Sequence, residues 1–492
     1  MSNRLNRPSH PLVAFALLAA LLLGDALASR ARGCFAVIVG RNASADGSVL
    51  VGHNEQNGGL RILNFRRVPG QSFPPDAVVR LRRGGELPQI GRAWSFLWSE
   101  IPGQEFSDAY LNEHGVAIVS DACPTREDDY DTLVARGEIC HGGIGYMLRR
   151  LVAQRARTAR DGVELAGRLI ERLGYVDSGR TYVIADPHEA WLLAVVRGRH
   201  WVARRVPDDA VVLLPNVHII GAVDLSDTKN YLASPGLIDY AVARGWYDPD
   251  AGKPFSFRKA YNRNPADPPD PRRWHARQLI GGNGEAWPPK SPPPPGIRPS
   301  EKMTVATVAR ILRDTTGEGR TISTPVTQEG AVFQLRTGMP AEIGCIYWRT
   351  TAEPSTSVLL PWYLGITATP PSFYRPLDLP THLSLEHHFN PPPRTFEPTP
   401  RSAWWTFKTL QDRVREDFSQ RSKVARTRWD AFERDTFARQ AKIEKEALAL
   451  WQTNRTAARA FLTQCSSQFA AKAIREAEKL TVRFSDPGRL RN

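Results

Sequence analysis

The chain of 492 residues is longer than one ordinary hydrophobic core, which predicts one large domain or two. Its 41% hydrophobic and 24% charged residues exclude global disorder, a collagen and a coiled coil along the whole chain. The net charge of +14 is concentrated at the end, because residues 401–492 hold 20 lysines and arginines against 11 aspartates and glutamates. The first 400 residues are only mildly basic, so the net charge does not indicate what the main domain does.

The first 28 residues have the pattern of an export signal. Arg4 and Arg7 precede an apolar run from Leu12 to Leu23, and Ala26-Leu27-Ala28 forms an A-x-A cleavage site. The apolar run is shorter than the roughly 20 residues that a transmembrane helix needs. We therefore expect a secreted or periplasmic chain without a transmembrane segment.

Strand patterns open the mature chain, with Phe35–Val39 and Val49–Val51 on either side of the turn signal Asp46-Gly47. From Ile144 to Leu173 the period becomes helical, and Gly174 fits the C′ position of a helix. One face of this helical stretch carries Val163, Ala166, Ile170 and Leu173. Strand patterns return at Thr181–Ala185, Trp191–Val196 and Val211–Leu214. This order predicts an α+β fold with helices layered on antiparallel sheets rather than a parallel βαβ array.

Three proline-rich stretches, Asn264–Pro271, Pro288–Pro299 and Pro391–Pro400, predict loops or linkers. After them, Ala403–Leu480 is rich in Ala, Arg, Lys and Glu, which predicts a basic helical C-terminal region over residues 401–492. Acidic residues are mixed with its basic ones, which favours a solvated helix face over a nucleic-acid surface. We expect no nucleic-acid partner.

Five cysteines are an odd number for an exported chain and indicate at least one free thiol. The other four allow up to two disulfides, and Cys123 and Cys140 are the nearest pair in the sequence. Five unpaired cysteines, packed as small apolar residues, are the alternative.

Cys34 carries the clearest chemical signal, because it begins a predicted strand just after the predicted export signal. An N-terminal cysteine can use its own α-amine, which titrates near pH ~8, as the general base for its thiol. Cleavage after Ala28 would leave residues 29–33 as a short propeptide, so a second, autocatalytic cut before Cys34 is required. A lipoprotein signal is the alternative, but Arg32 stands where that signal prefers a small residue.

The run Gly33–Gly40, followed by residues 43–48 and His53-Asn54-Glu55, resembles the start of the dipeptidase A family of N-terminal-nucleophile (Ntn) cysteine hydrolases. This family is related to secernins and, more distantly, to bile-salt and penicillin V acylases. The resemblance continues in order to about residue 410, through Asn112–Ala117, His200–Ala203, Val206–Ala210, Pro215-Asn216, Trp246–Pro249, Pro254–Phe257, Arg273-Trp274 and Leu360–Tyr363. It implies the αββα sandwich of Ntn hydrolases, with residues 34–400 as the catalytic domain.

The resemblance also implies amide hydrolysis through a thioester on Cys34, with the Asn216 side chain as a donor to the oxyanion. The family motif R-x-E-D is changed here to His53-Asn54-Glu55-Gln56. A protonated His53 can still favour a thiolate, whereas Gln56 cannot anchor an ammonium as a carboxylate would. Arg273, or its neighbour Arg272, matches a later arginine of the family. The expected catalytic residues are therefore Cys34, Asn216, His53 and Arg273.

Together these patterns predict an exported cysteine dipeptidase acting on a dipeptide or small amide. An N-acyl amide hydrolase (acylase) and a catalytically weakened, envelope-binding homologue are the alternatives. We expect no cofactor, because phosphate-binding glycine motifs are absent from the sequence, and no metal, because the cluster His382, Glu386, His387 and His388 lacks zinc-site spacing. The oligomeric state stays open, with a homo-oligomer among the options.

Overall fold

The computed structural model describes residues 33–56, 64–81, 83–102, 109–266, 269–281, 296–316, 320–374, 397–399 and 401–486. The predicted signal segment, residues 29–32 of the predicted propeptide and the cluster from His382 to His388 lie outside these residues, as do parts of the three proline-rich stretches.

Two antiparallel sheets form the centre of the molecule. The first consists of Phe35–Val39 (β1), Val49–Gln56 (β2), Val211–Leu214 (β14), Thr327–Leu335 (β16), Cys345–Arg349 (β17) and Leu360–Tyr363 (β18). Its strand order is β14-β1-β2-β16-β17-β18, so β1 is an interior strand with a neighbour on each side. All five neighbouring pairs are antiparallel.

The second sheet consists of Asn64–Val68 (β3), Phe96–Glu100 (β8), Tyr110–Asn112 (β9), Ala117–Ala122 (β10), Arg180–Ala185 (β11), Ala190–Val195 (β12), Trp201–Arg205 (β13) and Tyr231–Ala233 (β15). Its strand order is β15-β13-β12-β11-β10-β9-β8-β3. Two short antiparallel ribbons join Gln71–Ser72 (β4) to Arg92–Ala93 (β7) and Val78–Arg80 (β5) to Glu86–Pro88 (β6).

The two sheets share one apolar core. Ile38 and Val51 of the first sheet and Val119 and Val183 of the second are buried in the same hydrophobic cluster. Because side chains alternate between the two faces of a strand, residues two or four positions away from these on the same strand also face the opposite sheet. This register turns His53 of β2 and Asp121 of β10 toward each other.

The helices are Tyr130–Ala135 (α1), Met147–Arg155 (α2), Ala159–Leu173 (α3), Leu237–Ala243 (α4), Phe257–Tyr261 (α5), Pro271–Leu279 (α6), Val305–Leu312 (α7), Ala341–Gly344 (α8), Ala403–Arg415 (α9), Phe418–Thr453 (α10) and Arg455–Ser485 (α11), with a short 3-10 turn at Pro249–Ala251. α2 and α3 cover the outer face of the second sheet, while α7 and α9–α11 cover the first. The predicted αββα sandwich with a C-terminal helical extension is thus confirmed.

The helical stretch predicted to end at Leu173 is divided into α2 and α3. Thr158 begins α3, and its hydroxyl accepts a hydrogen bond from the Asp161 amide at 3.1 Å, which satisfies a backbone group that the helix leaves unpaired. The four predicted apolar positions of α3 are buried against the second sheet. The helix ends at Gly174, whose φ of +78° suits glycine.

The C-terminal helices belong to the core of the sandwich. Trp404, Phe407 and Trp429 are buried in the same cluster as the first sheet. Trp429 Nε1 also donates a hydrogen bond to the Thr356 carbonyl at 2.9 Å. The predicted helices are confirmed, and the proposed domain boundary at residue 400 stays a prediction.

The strand predictions near Cys34 agree closely with the structure. β1 and β14 have the predicted bounds, and the hairpin between β1 and β2 turns at Gly47 with a φ of +74°. β2 is longer than predicted, because it continues past its apolar residues through the polar segment to Gln56.

All five cysteines are described and none forms a disulfide, so the possible pair Cys123–Cys140 is not formed. The Cys123 thiol lies near the carbonyls of Asp121 and Pro215, whereas the Cys140 thiol lies near the carbonyl of Gly137. The alternative, in which no cysteine is in a disulfide, applies. Within the described ranges, no helix is both long enough and apolar enough to cross a bilayer.

If the C-terminal helices are part of the core, replacing Trp429 with alanine should lower the free energy of unfolding by about 3–5 kcal/mol, since it leaves a large cavity. Chemical denaturation would measure this loss. Arg434→Ala, at an exposed position of the same helix, is the control and should change stability little. Equal, small effects of both changes would contradict the packing described here.

Candidate active site

The pairing of β1 with both of its neighbours determines what surrounds Cys34. Ala36 lies opposite His53 of β2 and opposite Leu214 of β14. Two residues earlier, Cys34 therefore lies between the end of β2 on one side and Asn216, two residues after Leu214, on the other. Three separate segments of the chain meet at the first residues of β1.

The Cys34 thiol is buried and contacts two groups of β2. It donates a hydrogen bond to Glu55 Oε1 at 3.4 Å, and its sulfur accepts one from the Gln56 amide at 3.5 Å. A carboxylate in this position can accept the thiol proton. The backbone amide can stabilise negative charge on the sulfur once the proton has left.

His53 lies beside this pair and bridges the two sheets. Its Nε2 is 3.0 Å from Asp121 Oδ1 and 3.9 Å from Glu55 Oε2. The His53 and Asp121 side chains are 1% and 0% exposed. Two carboxylates around a buried imidazole favour its protonated form, because they supply the opposite charge that the interior otherwise lacks.

Arg272 approaches from the other side, in the first turn of α6. Its guanidinium is fully buried, and Nη1 donates hydrogen bonds to the carbonyls of Gly33 at 2.8 Å and Cys34 at 3.0 Å. Asp270, the N-cap of α6, accepts from the Arg272 amide and side chain. Burial alone would raise the pKa of Asp270, but Arg272 and Arg320 hold it below its usual range.

Hydrogen bonds hold both the oxygen and the nitrogen of the Asn216 side-chain amide. Its Oδ1 accepts from Arg272 Nη2 at 3.2 Å and from Arg320 Nη2 at 3.0 Å, and its Nδ2 donates to the Ala122 carbonyl at 3.1 Å. A side-chain amide has two N–H groups, so one donor remains beyond the bond to Ala122. This arrangement is suited to donation toward an oxyanion.

Gly33, the residue before Cys34, fills the space beside these groups. Its amide donates to Gln56 Oε1 at 3.3 Å, and Gln56 in turn donates to the Ile322 carbonyl at 2.7 Å. A Cβ on residue 33 would lie 2.0 Å from both Asn216 Oδ1 and Arg320 Nη2. Only glycine fits this place without displacing these side chains.

The structure places three of the expected site residues, Cys34, His53 and Asn216, close together. For the expected arginine, the contacts with the Gly33 and Cys34 carbonyls are made by Arg272, the neighbour of Arg273. Arg273 is also buried on α6. Catalytic roles for the four predicted residues, Arg273 included, stay predictions.

Sequence reasoning did not single out Asp121, Asp270 or Arg320. Asp121 interrupts an otherwise apolar strand, which is a usable signal, and Asp270-Pro271 is a common start of a helix. Arg320 carries no local signal. Burial, and after it the charge of Arg272, lowers the pKa of Arg320 to about 10, so it remains protonated at neutral pH.

Three of the other thiols are unsuited to nucleophilic chemistry. Burial raises the pKa of Cys123 and of Cys345 to about 12, and that of Cys465 to about 11. A thiol must lose its proton to become a strong nucleophile, so these three are inert at neutral pH.

The donor atoms of Cys34, His53 and Asp121 all lie within 4.8 Å of one another, and their types are those that hold zinc in proteins. The hydrogen bonds among the same groups already account for their positions. The Cys34 thiol bonds to Glu55 and the His53 ring bonds to Asp121.

Comparison with known proteins gives the family. The model of peptidase family C69 matches residues 33–430, so the chain belongs to this family and is a peptidase. The match begins at the residue before Cys34 and extends past the predicted boundary at residue 400.

Several relatives carry dipeptidase names. A "Probable dipeptidase" of Salmonella dublin is 28% identical over 362 residues, covering 68% of this chain and 81% of the relative. The "Dipeptidase A" of Lactobacillus helveticus is 24% identical over 365 residues, covering 68% and 76%. Among solved structures, a mutant conjugated bile acid hydrolase of Clostridium perfringens aligns with a TM-score of 0.31 at 11% identity, covering 65% of this chain and 89% of the other.

If a protonated His53 assists the Cys34 thiolate, Asp121→Asn should narrow the pH range of activity. Without the carboxylate the imidazolium is less favoured, so the decline of kcat/KM on the alkaline side should move to lower pH by about 1–2 pH units. A pH profile of dipeptide hydrolysis would measure this shift.

Asp209→Asn, which changes a half-exposed carboxylate far along the chain, is the matched control and should leave the profile in place. A profile of Asp121→Asn that coincides with that of the control would show that His53 does not act through its charge.

Proposed function

We propose that the protein is an exported cysteine dipeptidase whose nucleophile, Cys34, becomes the N-terminal residue when the chain cuts itself after Gly33. The observation that carries this proposal is the position of the Gly33 carbonyl, which Arg272 Nη1 holds at 2.8 Å next to the residue that bears the thiol. The family supports peptide-bond hydrolysis, and the names of the relatives support dipeptides as substrates.

The first reaction is the cleavage of the Gly33–Cys34 peptide bond. Glu55 accepts the Cys34 thiol proton, and the sulfur attacks the Gly33 carbonyl carbon. Arg272 stabilises the negative charge that develops on the carbonyl oxygen. The C–N bond then breaks and the nitrogen takes up the proton, leaving a thioester between Gly33 and Cys34. Water hydrolyses this thioester, which releases the Gly33 carboxylate and frees the Cys34 thiol beside the α-amine formed in the previous step.

Release of the propeptide also prepares the site for substrate. While Gly33 is present, it occupies the space against Asn216 and Arg320. Once it leaves, the carbonyl of a substrate can take this place, with the second Asn216 N–H directed to its oxygen. The chain before Cys34 thus acts as the first substrate of the site.

In the mature enzyme the free α-amine of Cys34 is the general base. The thiolate attacks the scissile carbonyl of a dipeptide, and the Asn216 amide stabilises the oxyanion. The ammonium gives its proton to the leaving amino group, the acyl group remains on sulfur as a thioester, and water releases it. An acylase would use the same steps on an N-acyl amide, so hydrolysis of N-acyl amino acids, compared with that of dipeptides, distinguishes the two activities.

The experiment that tests the proposal is mass spectrometry of the N-terminus together with the Cys34→Ala variant. We expect the active protein to begin at Cys34. The variant should keep residues 29–33 attached and hydrolyse no dipeptide. An active protein that begins at Ser29, or near wild-type activity of the variant, would overturn the proposal.

A change at Gly33 should affect self-cleavage without affecting hydrolysis by the mature enzyme. Gly33→Ala introduces a Cβ that collides with Asn216 and Arg320, so self-cleavage should slow and the precursor should accumulate. Residue 33 is absent from the mature enzyme, so the fraction that does mature should have the wild-type kcat. Gel analysis of precursor over time and active-site titration would measure the two effects.

Gly91→Ala is the matched control, because a Cβ there meets no atom within 4 Å. It should mature at the wild-type rate. A Gly33→Ala precursor that matures as fast as this control would contradict the placement of Gly33 in the site.

A further inference from the structure

A buried asparagine holds the backbone next to Asn216. Asn262 is the C-cap of α5 and is 2% exposed. Its Oδ1 accepts a hydrogen bond from the His218 amide at 3.1 Å, and its Nδ2 donates one to the His218 carbonyl at 3.2 Å. A single side chain thus pairs with both backbone groups of the residue two positions after Asn216, as a residue of a neighbouring strand would.

The backbone around Asn262 is joined to a second segment of the chain, just after β10. The Tyr261 carbonyl accepts a hydrogen bond from the Arg126 amide at 2.9 Å. The Arg263 amide donates one to the Pro124 carbonyl at 3.1 Å. These two bonds form an isolated antiparallel bridge that is centred on residues 125 and 262. The side chain of Asn262 therefore holds one segment while its backbone holds another.

The two segments that Asn262 joins are the ones that hold the Asn216 amide nitrogen. Asn216 lies two residues before His218 on the first segment. Its Nδ2 donates to the Ala122 carbonyl at 3.1 Å, two residues before Pro124 on the second. Asn262 therefore constrains the distance between this nitrogen and its acceptor, although it contacts neither of them in the hydrogen bonds described.

The His218 side chain anchors the same segment to the second sheet. Its Nδ1 lies 2.9 Å from the Thr181 hydroxyl of β11, and the ring is fully buried. Burial lowers the pKa of His218 to about 3, because the charged form loses its hydration. The ring is therefore neutral at the pH of ordinary assays, and its contact with Thr181 does not change across that range.

We propose that Asn262 is a positioning residue for the oxyanion donor. It holds residues 216–218 against residues 122–126, so that the second Asn216 N–H is directed at the oxygen of the scissile carbonyl. Such a donor must lie about 2.7–3.1 Å from the oxyanion, and a small displacement lowers the rate more than it weakens substrate binding. The inference rests on the proposed function, because it concerns the donor that the proposed hydrolysis needs.

The first test is Asn262→Ala in the full chain, assayed on a dipeptide with the concentration of active sites determined by titration. We expect kcat to fall by about 10-fold and KM to change by less than about threefold. The pH at which activity declines should not move, because His218 stays neutral. A kcat within twofold of the wild-type value, or a loss confined to KM, would overturn the proposal.

Asn112→Ala is the matched control, because it also removes a fully buried side-chain amide. Asn112 Nδ2 donates to the carbonyls of Ala153 and Ala156 at 3.0 and 2.8 Å, at the end of α2. Its loss should lower the midpoint of chemical denaturation about as much as Asn262→Ala does, with kcat unchanged. An equal fall of kcat in both variants would show that the loss of any buried amide is sufficient, which contradicts a positioning role.

The second test asks whether Asn262 acts through Asn216. In the Asn216→Ala background, Asn262→Ala should lower kcat by less than about twofold, because the donor that it positions is already gone. A further 10-fold fall in the double variant would show that Asn262 acts on another group and would overturn the assignment.

The single variants separate this inference from the proposed function. A slow Asn216→Ala variant beside an Asn262→Ala variant of normal kcat would overturn the inference and leave the proposed hydrolysis intact. A normal kcat of Asn216→Ala would overturn the oxyanion role of Asn216 and, with it, the positioning role of Asn262.

If Asn262→Ala does not fold, Asn262→Asp decides the matter. The aspartate has the same shape and can still accept a hydrogen bond from the His218 amide, but it cannot donate one to the His218 carbonyl. A folded Asn262→Asp variant with a lowered kcat and an unchanged KM supports the proposal, and one with the wild-type kcat contradicts it.

Discussion

The interior position of β1 is the constraint on which the candidate site depends. Because β1 pairs with β2 on one edge and with β14 on the other, the residues that flank Cys34 are set by two registers at once. A slip of one residue in either pairing would turn side chains to the opposite face of the sheet. The apolar strand, fully buried from Phe35 to Val39, makes such slips costly. The positions of the residues that flank Cys34 are therefore set by the packing of the buried strands.

The contacts of His53 and Gln56 give a physical reason for the altered motif at the end of β2. An arginine carries its charge by itself, whereas His53 depends on its surroundings, and Asp121 supplies them from the opposite sheet. The contact between His53 and Asp121 therefore depends on the distance between the two sheets. Gln56 suits an uncharged partner, and in the structure its Oε1 accepts the N–H of the Gly33 peptide rather than an ammonium. Both changes are compatible with a functioning precursor.

The sequence predicts the local parts of this arrangement and misses the long-range ones. β1 and β14 were predictable because each is a short apolar run bounded by turn residues, and Cys34 and Asn216 because they stand in motifs of a known family. The contact of Asp121 with His53 was not, because it forms between strands of two different sheets that are far apart in the chain. Which of the adjacent residues Arg272 and Arg273 contacts the Gly33 carbonyl depends on how α6 is rotated about its axis. The sequence alone does not reveal that orientation.

Acidic and basic side chains lie on opposite sides of Cys34. Glu55 and Asp121 lie on the side that faces the second sheet, whereas Arg272, whose guanidinium lies over the Phe35 ring, reaches the backbone of Gly33 and Cys34 from the opposite side. In the proposed reaction, a proton that leaves the thiol would move toward carboxylates, while the negative charge that develops on the attacked carbonyl would be stabilised by guanidinium and amide donors. Asp270 neutralises part of the arginine charge and holds Arg272 in place. This separation of charge is already present in the folded chain, so the proposed reaction would need little reorganisation of these groups.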